Sequence, residues 1–166
     1  MTDSYDLRDV GRFTVGAIGE PGRRVFYFQV FADGVEVAVK CEKQQAQALA
    51  EHLVKLLDDL PHDAHAEVPA AEALPPSELV WAVGSISLGV DRDAMQLLVL
   101  FEELVDPEEG EDSLDAEPSQ LRVRISAEQV QGFVAQVEAL LATSRPLCRL
   151  CDAPIDPSGH ACPRLN

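Results

Sequence analysis

Apolar and polar positions fall into short alternating runs before they fall into helical ones. Arg12 to Gly19 alternates roughly and predicts a strand, followed by a turn at Glu20-Pro21-Gly22. Arg23 to Phe31 carries Val25, Phe26, Tyr27, Phe28, Val30 and Phe31, the aromatic and β-branched content of a second strand. Asp33-Gly34 then favours a tight hairpin turn. Val35, Val37 and Val39 alternate with Glu36, Ala38 and Lys40, so a third strand has one dry face. The period changes after Cys41. Ala46, Leu49, Ala50, Leu53, Leu56 and Leu57 form a helical stripe from about Lys43 to Asp59, closed by Pro61.

The same order returns further on. Strands are expected near Leu79 to Val90, Ala94 to Glu103 and Leu121 to Ile125. Ser126 and Gln129 have capping-box spacing ahead of a stripe of Val130, Phe133, Val134, Val137, Leu140 and Leu141. Val37 to Leu57 lies over Leu121 to Leu141 without a gap at an offset of 84, matching Gln45 to Gln129 and Gln47 to Gln131. Phe13 to Ile18 lies over Trp81 to Ile86 at an offset of 68. The sixteen-residue difference suits an insertion in the later copy. The reading is an α+β chain of two strand-strand-strand-helix units with antiparallel sheet, since one helix can cover one apolar sheet face. The first unit is assigned to 1–60, a linker to 61–78, the second unit to 79–146 and a tail to 147–166. Periodicity leaves open whether the units share one sheet or pack face to face.

Charge sharpens this picture. The 166 residues carry 13 basic and 29 acidic side chains, a net −16. Residues 61–120 hold 15 of the acids and a single base. Nine acids without a base fall between Glu102 and Glu117, so the insertion is placed at about 105–120 and is expected to be extended and wet. This balance argues against a broad nucleic-acid surface, which needs cations to displace counterions. No run approaches the roughly eighteen apolar residues of a membrane-spanning helix. Met1 to Asp9 has three Asp and no apolar core, unlike a secretory signal. A soluble cytoplasmic protein with reduced thiols is the expectation.

Three of the four cysteines crowd into the last nineteen residues. Cys148-x2-Cys151-x8-His160-x-Cys162 supplies three thiolates and an imidazole, the donor set of a structural zinc site. The intervening residues are too few and too turn-rich for a core of their own, so ligation would supply their folding energy. With four protein ligands no water position remains, and the Zn2+ is expected to be structural. A redox pair at Cys148 and Cys151 and idle cysteines in a disordered tail are the alternatives weighed. Cys41 aligns with Ile125 and is read as a buried apolar residue.

Other chemistry is weaker. His62 and His65 lie among Asp58, Asp59 and Asp63 at a helix end and in a Pro-broken stretch, and His52 is read as a surface side chain. Glu102-Glu103 and Glu108-Glu109 lack the dry, asymmetric surroundings of a catalytic carboxylate pair. Gly16, Gly19 and Gly22 lack the lysine of a phosphate loop. Gly16 and Gly84 are matched as a shared bulge or close strand crossing. Arg23, Arg24, Arg122, Arg124, Arg145 and Arg149 are read as wet strand and loop positions rather than as one patch.

Arg12-Phe13-Thr14-Val15-Gly16, Gly19-Glu20-Pro21-Gly22-Arg23 and the tail block Cys148-x-x-Cys151, Asp156-Pro157 and Gly159-His160-x-Cys162-Pro163-Arg164 share a pattern. In these blocks the chain resembles a mainly actinobacterial family known as domain of unknown function 3090. The resemblance implies a small zinc-ribbon-like tail and brings no catalytic residues with it. The functional expectation is a non-enzymatic protein-binding or adaptor module with a structural zinc site. An enzyme with a cleft between the units is one alternative. A nucleic-acid-binding protein using a curved sheet and zinc knuckle is the other.

Overall fold

In a computed structural model the described residues are 3–20, 22–106, 117–142, 148–151, 155 and 159–164. Nine elements follow one another: β1 (Tyr5–Leu7), β2 (Val10–Ile18), β3 (Val25–Ala32), β4 (Val35–Cys41), α1 (Lys43–Leu57), β5 (Val83–Asp91), β6 (Gln96–Glu103), β7 (Gln120–Ile125) and α2 (Ala127–Ala142). The expected α+β class holds, with mostly antiparallel sheets and two helices. Asp33 and Gly34 both take positive φ, as a two-residue hairpin turn requires. Both helices begin with a glutamine turned back on the preceding backbone. The Glu42 N–H donates to Gln45 Oε1 at 2.8 Å, and the Ser126 N–H donates to Gln129 Oε1 at 2.9 Å.

The strands form two sheets, β2-β3-β4 and β1-β7-β6-β5. Their inner faces share one core. Phe13, Val15, Phe28, Val30, Val37 and Val39 come from the first sheet, and Val99, Phe101, Leu121 and Val123 from the second. Leu53 of α1 and Phe133 of α2 complete it. Four rings meet at its centre: Phe13 and Phe133 lie 4.7 Å apart and Phe28 and Phe101 4.8 Å apart, in the tilted geometry that aromatic quadrupoles favour.

The two halves exchange their leading segments. β1 runs parallel to β7, with Tyr5 opposite Leu121 and Leu7 opposite Val123. In turn the segment entering β5 runs parallel to β4: the Val80 N–H donates to Ala38 O, and the Lys40 N–H to Trp81 O. Each leading segment therefore caps an edge that belongs to the other half, where an unpaired backbone row would otherwise be left. Each then passes a bulge at a glycine, Gly11 or Gly84, and enters its own sheet. At Gly84 a Cβ would sit 2.9 Å from Leu104 Cα, too close for any side chain.

Register revises one sequence match. Val15 pairs with Phe28, and Phe28 with Val39; Leu88 pairs with Val99, and Val99 with Val123. On the duplication reading this register would set Val15 over Leu88 and Gly11 over Gly84, an offset of 73 where the sequence match took 68. The alternation of apolar residues has a period of two, and several slips satisfy it equally; the bulge decides among them. Gly16 is not at a bulge. It makes room for the Tyr27 ring and Ala73, which a Cβ there would strike.

The stretch read as a linker is an ordered strap. The outer face of β2 and β3 buries Thr14 and Gln29 completely, and the strap supplies their partners. Thr14 Oγ1 donates to Ala71 O. Gln29 Nε2 donates to Leu74 O at 3.0 Å while its Oε1 accepts the Leu74 N–H at 2.9 Å. Tyr27 Oη donates to the same carbonyl, and the Ala71 N–H donates to Gly132 O on α2. Most of the acidic insertion, 107–116, lies outside the described residues. Its flanks close on one point, where the Glu103 N–H donates to Ser119 O and the Ser119 N–H donates to Glu103 Oε2.

Replacing Gln29 with Leu keeps the bulk but leaves the Leu74 N–H of the strap without its acceptor, while the Leu74 carbonyl keeps Tyr27 Oη. Urea denaturation should show a loss of about 2 kcal/mol, the usual cost of leaving buried donors and acceptors unpaired. A variant as stable as the parent would contradict the role given to this contact.

Candidate metal centre

Cys148 to Cys151 form a turn after α2, and Gly159 to Cys162 bring a second short segment back to it. Gly159 has a φ of +104°, a conformation that favours glycine and re-aims the chain just before His160. The ligand atoms of Cys148, Cys151, His160 and Cys162 all lie within 4.8 Å of one another. Cys148 Sγ and Cys162 Sγ are 3.8 Å apart, and Cys151 Sγ and His160 Nε2 are 3.2 Å apart. The first distance is far beyond a disulfide bond, and none of the three cysteines is in a disulfide.

The turn also prepares Cys148 electrostatically. The backbone N–H groups of Leu150 and Cys151 point at Cys148 and hold its thiol down to about 6, with Cys151 and Cys162 adding weaker help. Amide donors stabilise a thiolate because they complement its charge. Three sulfurs and an imidazole converging at these distances can coordinate a metal ion.

Cys41 differs in its surroundings and electrostatics. It is buried in the core, and burial together with the charge of Glu42 pushes its thiol upward, so it stays protonated and inert. His52 Nδ1 is hydrogen-bonded to Ala48 O of its own helix at 2.7 Å. His62 Nδ1 meets Leu60 O, and the His65 N–H donates to Asp63 Oδ1, so these residues shape a turn. Among the described residues they do not gather with the neighbouring acids into a ligand cluster. Arg124 lies 3.5 Å from Asp91, and Arg122 stands exposed on the same strand. Arg145 lies outside the described residues. No helix among them is long and apolar enough to cross a membrane.

A cavity of about 390 Å³ lies between α1 and β5, lined by Gln45, Ala48, Leu49, His52, Gly84, Ile86 and Leu88; the sequence reading carried a cleft between the units as an alternative without placing it on α1. Its only sequence signal was the paired glutamines Gln45 and Gln129, whose reach across the halves depends on tertiary structure.

Thiol titration of the native, metal-free protein should find Cys41 unreactive and the tail thiols accessible. Loading the cluster with a divalent metal should protect Cys148, Cys151 and Cys162 together. Protection of only one or two of them would contradict a shared ion.

Comparison with known proteins adds one match. No curated protein and no solved structure matches the chain. A family model covers residues 5–162, from β1 through the last cysteine of the cluster. The chain belongs to the family described as Protein of unknown function (DUF3090).

Proposed function

We propose that this chain is a non-enzymatic protein-binding or adaptor module whose tail is held by a structural zinc ion. The observation that carries the zinc reading is the 3.8 Å separation of Cys148 Sγ and Cys162 Sγ. Thiolates bound at about 2.3 Å to a tetrahedral ion stand roughly 3.8 Å apart. Cys148, Cys151, His160 and Cys162 would fill all four positions, leaving none for water or substrate. The ion's contribution is then cross-linking a tail that buries little apolar surface of its own. A cytoplasmic setting suits three reduced thiols.

The body we read as two strand-strand-strand-helix units, 1–60 and 79–146, joined by 61–78 and followed by the tail 147–166. Three reciprocal features support duplication. Gly11 and Gly84 both sit at bulges. Gln45 Nε2 donates to Val83 O, and Gln129 Nε2 to Val10 O, in each case to the residue before the bulge of the opposite half. Each leading segment pairs in parallel with the other half's third strand. The protein-binding role rests on exposed apolar side chains. Leu104 and Val105, 63% and 45% exposed, stand where the acidic insertion leaves the sheet.

Protein purified without chelator should contain one zinc per chain. Cys148→Ser should release it while the body's unfolding midpoint stays unchanged. A catalytic or absent metal, or collapse of the body in this variant, would contradict the reading. A tagged chain should retain a protein partner at near one-to-one ratio after nuclease treatment. Retention of nucleic acid alone would contradict the protein-binding role.

A further inference from the structure

The cavity beside α1 occupies a place that the other half fills. By the register and the 84-residue match of the helices, α2 on β2 corresponds to α1 on β5. Phe133 then corresponds to Leu49, Phe13 to Ile86, Val15 to Leu88 and Gln136 to His52. On the α2 side the rings of Phe13 and Phe133 stack at 4.7 Å, and Gln136 Nε2 donates to Val15 O at 3.0 Å. Helix and strand are closed against each other, and the strand's outer carbonyls are met by Gln129 and Gln136. On the α1 side smaller aliphatic residues replace the two rings, and the helix stands off the strand by the 390 Å³ cavity. Gln45 still meets Val83 O, but His52 is turned to Ala48 O of its own helix. Among the described residues no side-chain amide meets Leu88. β5 is the last strand of its sheet, so this side is an open edge beside an apolar cleft.

We propose that the cleft between α1 and β5 docks an extended, basic segment of a protein partner. The segment adds a strand to the free edge of β5 and inserts one apolar side chain between Leu49, Ile86 and Leu88. Main-chain hydrogen bonds to an exposed edge, with a pocket for alternate side chains, are the physics of strand addition. The filled half indicates both needs of the empty one: hydrogen-bond donors for the strand and apolar bulk for the space. Basic character follows from charge. The chain carries −16, and the Gly84 end of β5 is paired with Glu102 and Glu103, where the acidic stretch begins. The inference rests on the protein-binding reading and names its surface and partner class.

The test uses the full zinc-loaded chain, uniformly 15N-labelled. The probes are ten-residue peptides of alternating Thr and Val with a central Leu, ending in Lys pairs or in Glu pairs. The Lys-ended peptide should shift amides of residues 45–52 and 84–88 and slow hydrogen exchange along β5. Binding should weaken at least tenfold for the Glu-ended peptide and for Ala48→Arg, which changes an exposed position at the cleft wall and spares the core. Ile86→Phe, which restores the bulk found in the other half, should weaken it similarly. Shifts confined to another surface would overturn the cleft while leaving protein binding intact. So would undiminished binding by Ala48→Arg. Absence of binding by every peptide would also overturn it. Loss of the one-to-one partner in the tagged-chain experiment strikes the wider reading instead.

Discussion

Backbone pairing across the two halves is the constraint on which this structure depends. β4 and β7 are the third strands of their halves, and each would leave an edge of unmet N–H and C=O groups. Buried edges of that kind cost too much to persist. The chain meets the demand by sending β1 to β7 and the segment before β5 to β4. Once the edges are exchanged, the two inner faces are brought to one core, and the four phenylalanine rings meet there. Neither half encloses that core alone, because Phe28 and Phe101 pack together from opposite sheets.

The exchange also explains why the connection is ordered. A chain leaving α1 must cross the outer face of β2 and β3 before it enters the other sheet. Thr14, Tyr27 and Gln29 on that face bind its backbone as it passes. The two sheets differ in what covers them: one has a strap and a closed helix-strand contact, the other a cleft.

Much of this was legible in the chain. Alternation at Val35, Val37 and Val39, the Asp33-Gly34 turn and the stripe from Ala46 to Leu57 carry local information, and the elements lie where those patterns put them. The spacing of Cys148, Cys151, His160 and Cys162 was equally direct, since two short turns suffice to gather four donors. Alternation alone does not fix the register of the first strands, and the bulge at Gly11 does. The order of the linker 61–78 was not legible because its hydrogen bonds come from its backbone, which any sequence provides. The clue lay instead in Thr14 and Gln29, polar residues inside strands with two buried faces. The cleft was hidden for a similar reason: Leu49 and Ile86 look like ordinary core residues until their counterparts are seen to be phenylalanine.

The central claim is that the interlocked sheets form a single cooperative unit, to which the tail with its Cys/His cluster is attached but not essential. Native-state hydrogen exchange, run with and without chelator, tests it most directly. Amides of β3, β4, β6 and β7 should open together at one free energy that chelation leaves unchanged, while residues 148–151 and 159–162 lose protection. Separate opening of the two sheets, or loosening of the core when metal is removed, would contradict it.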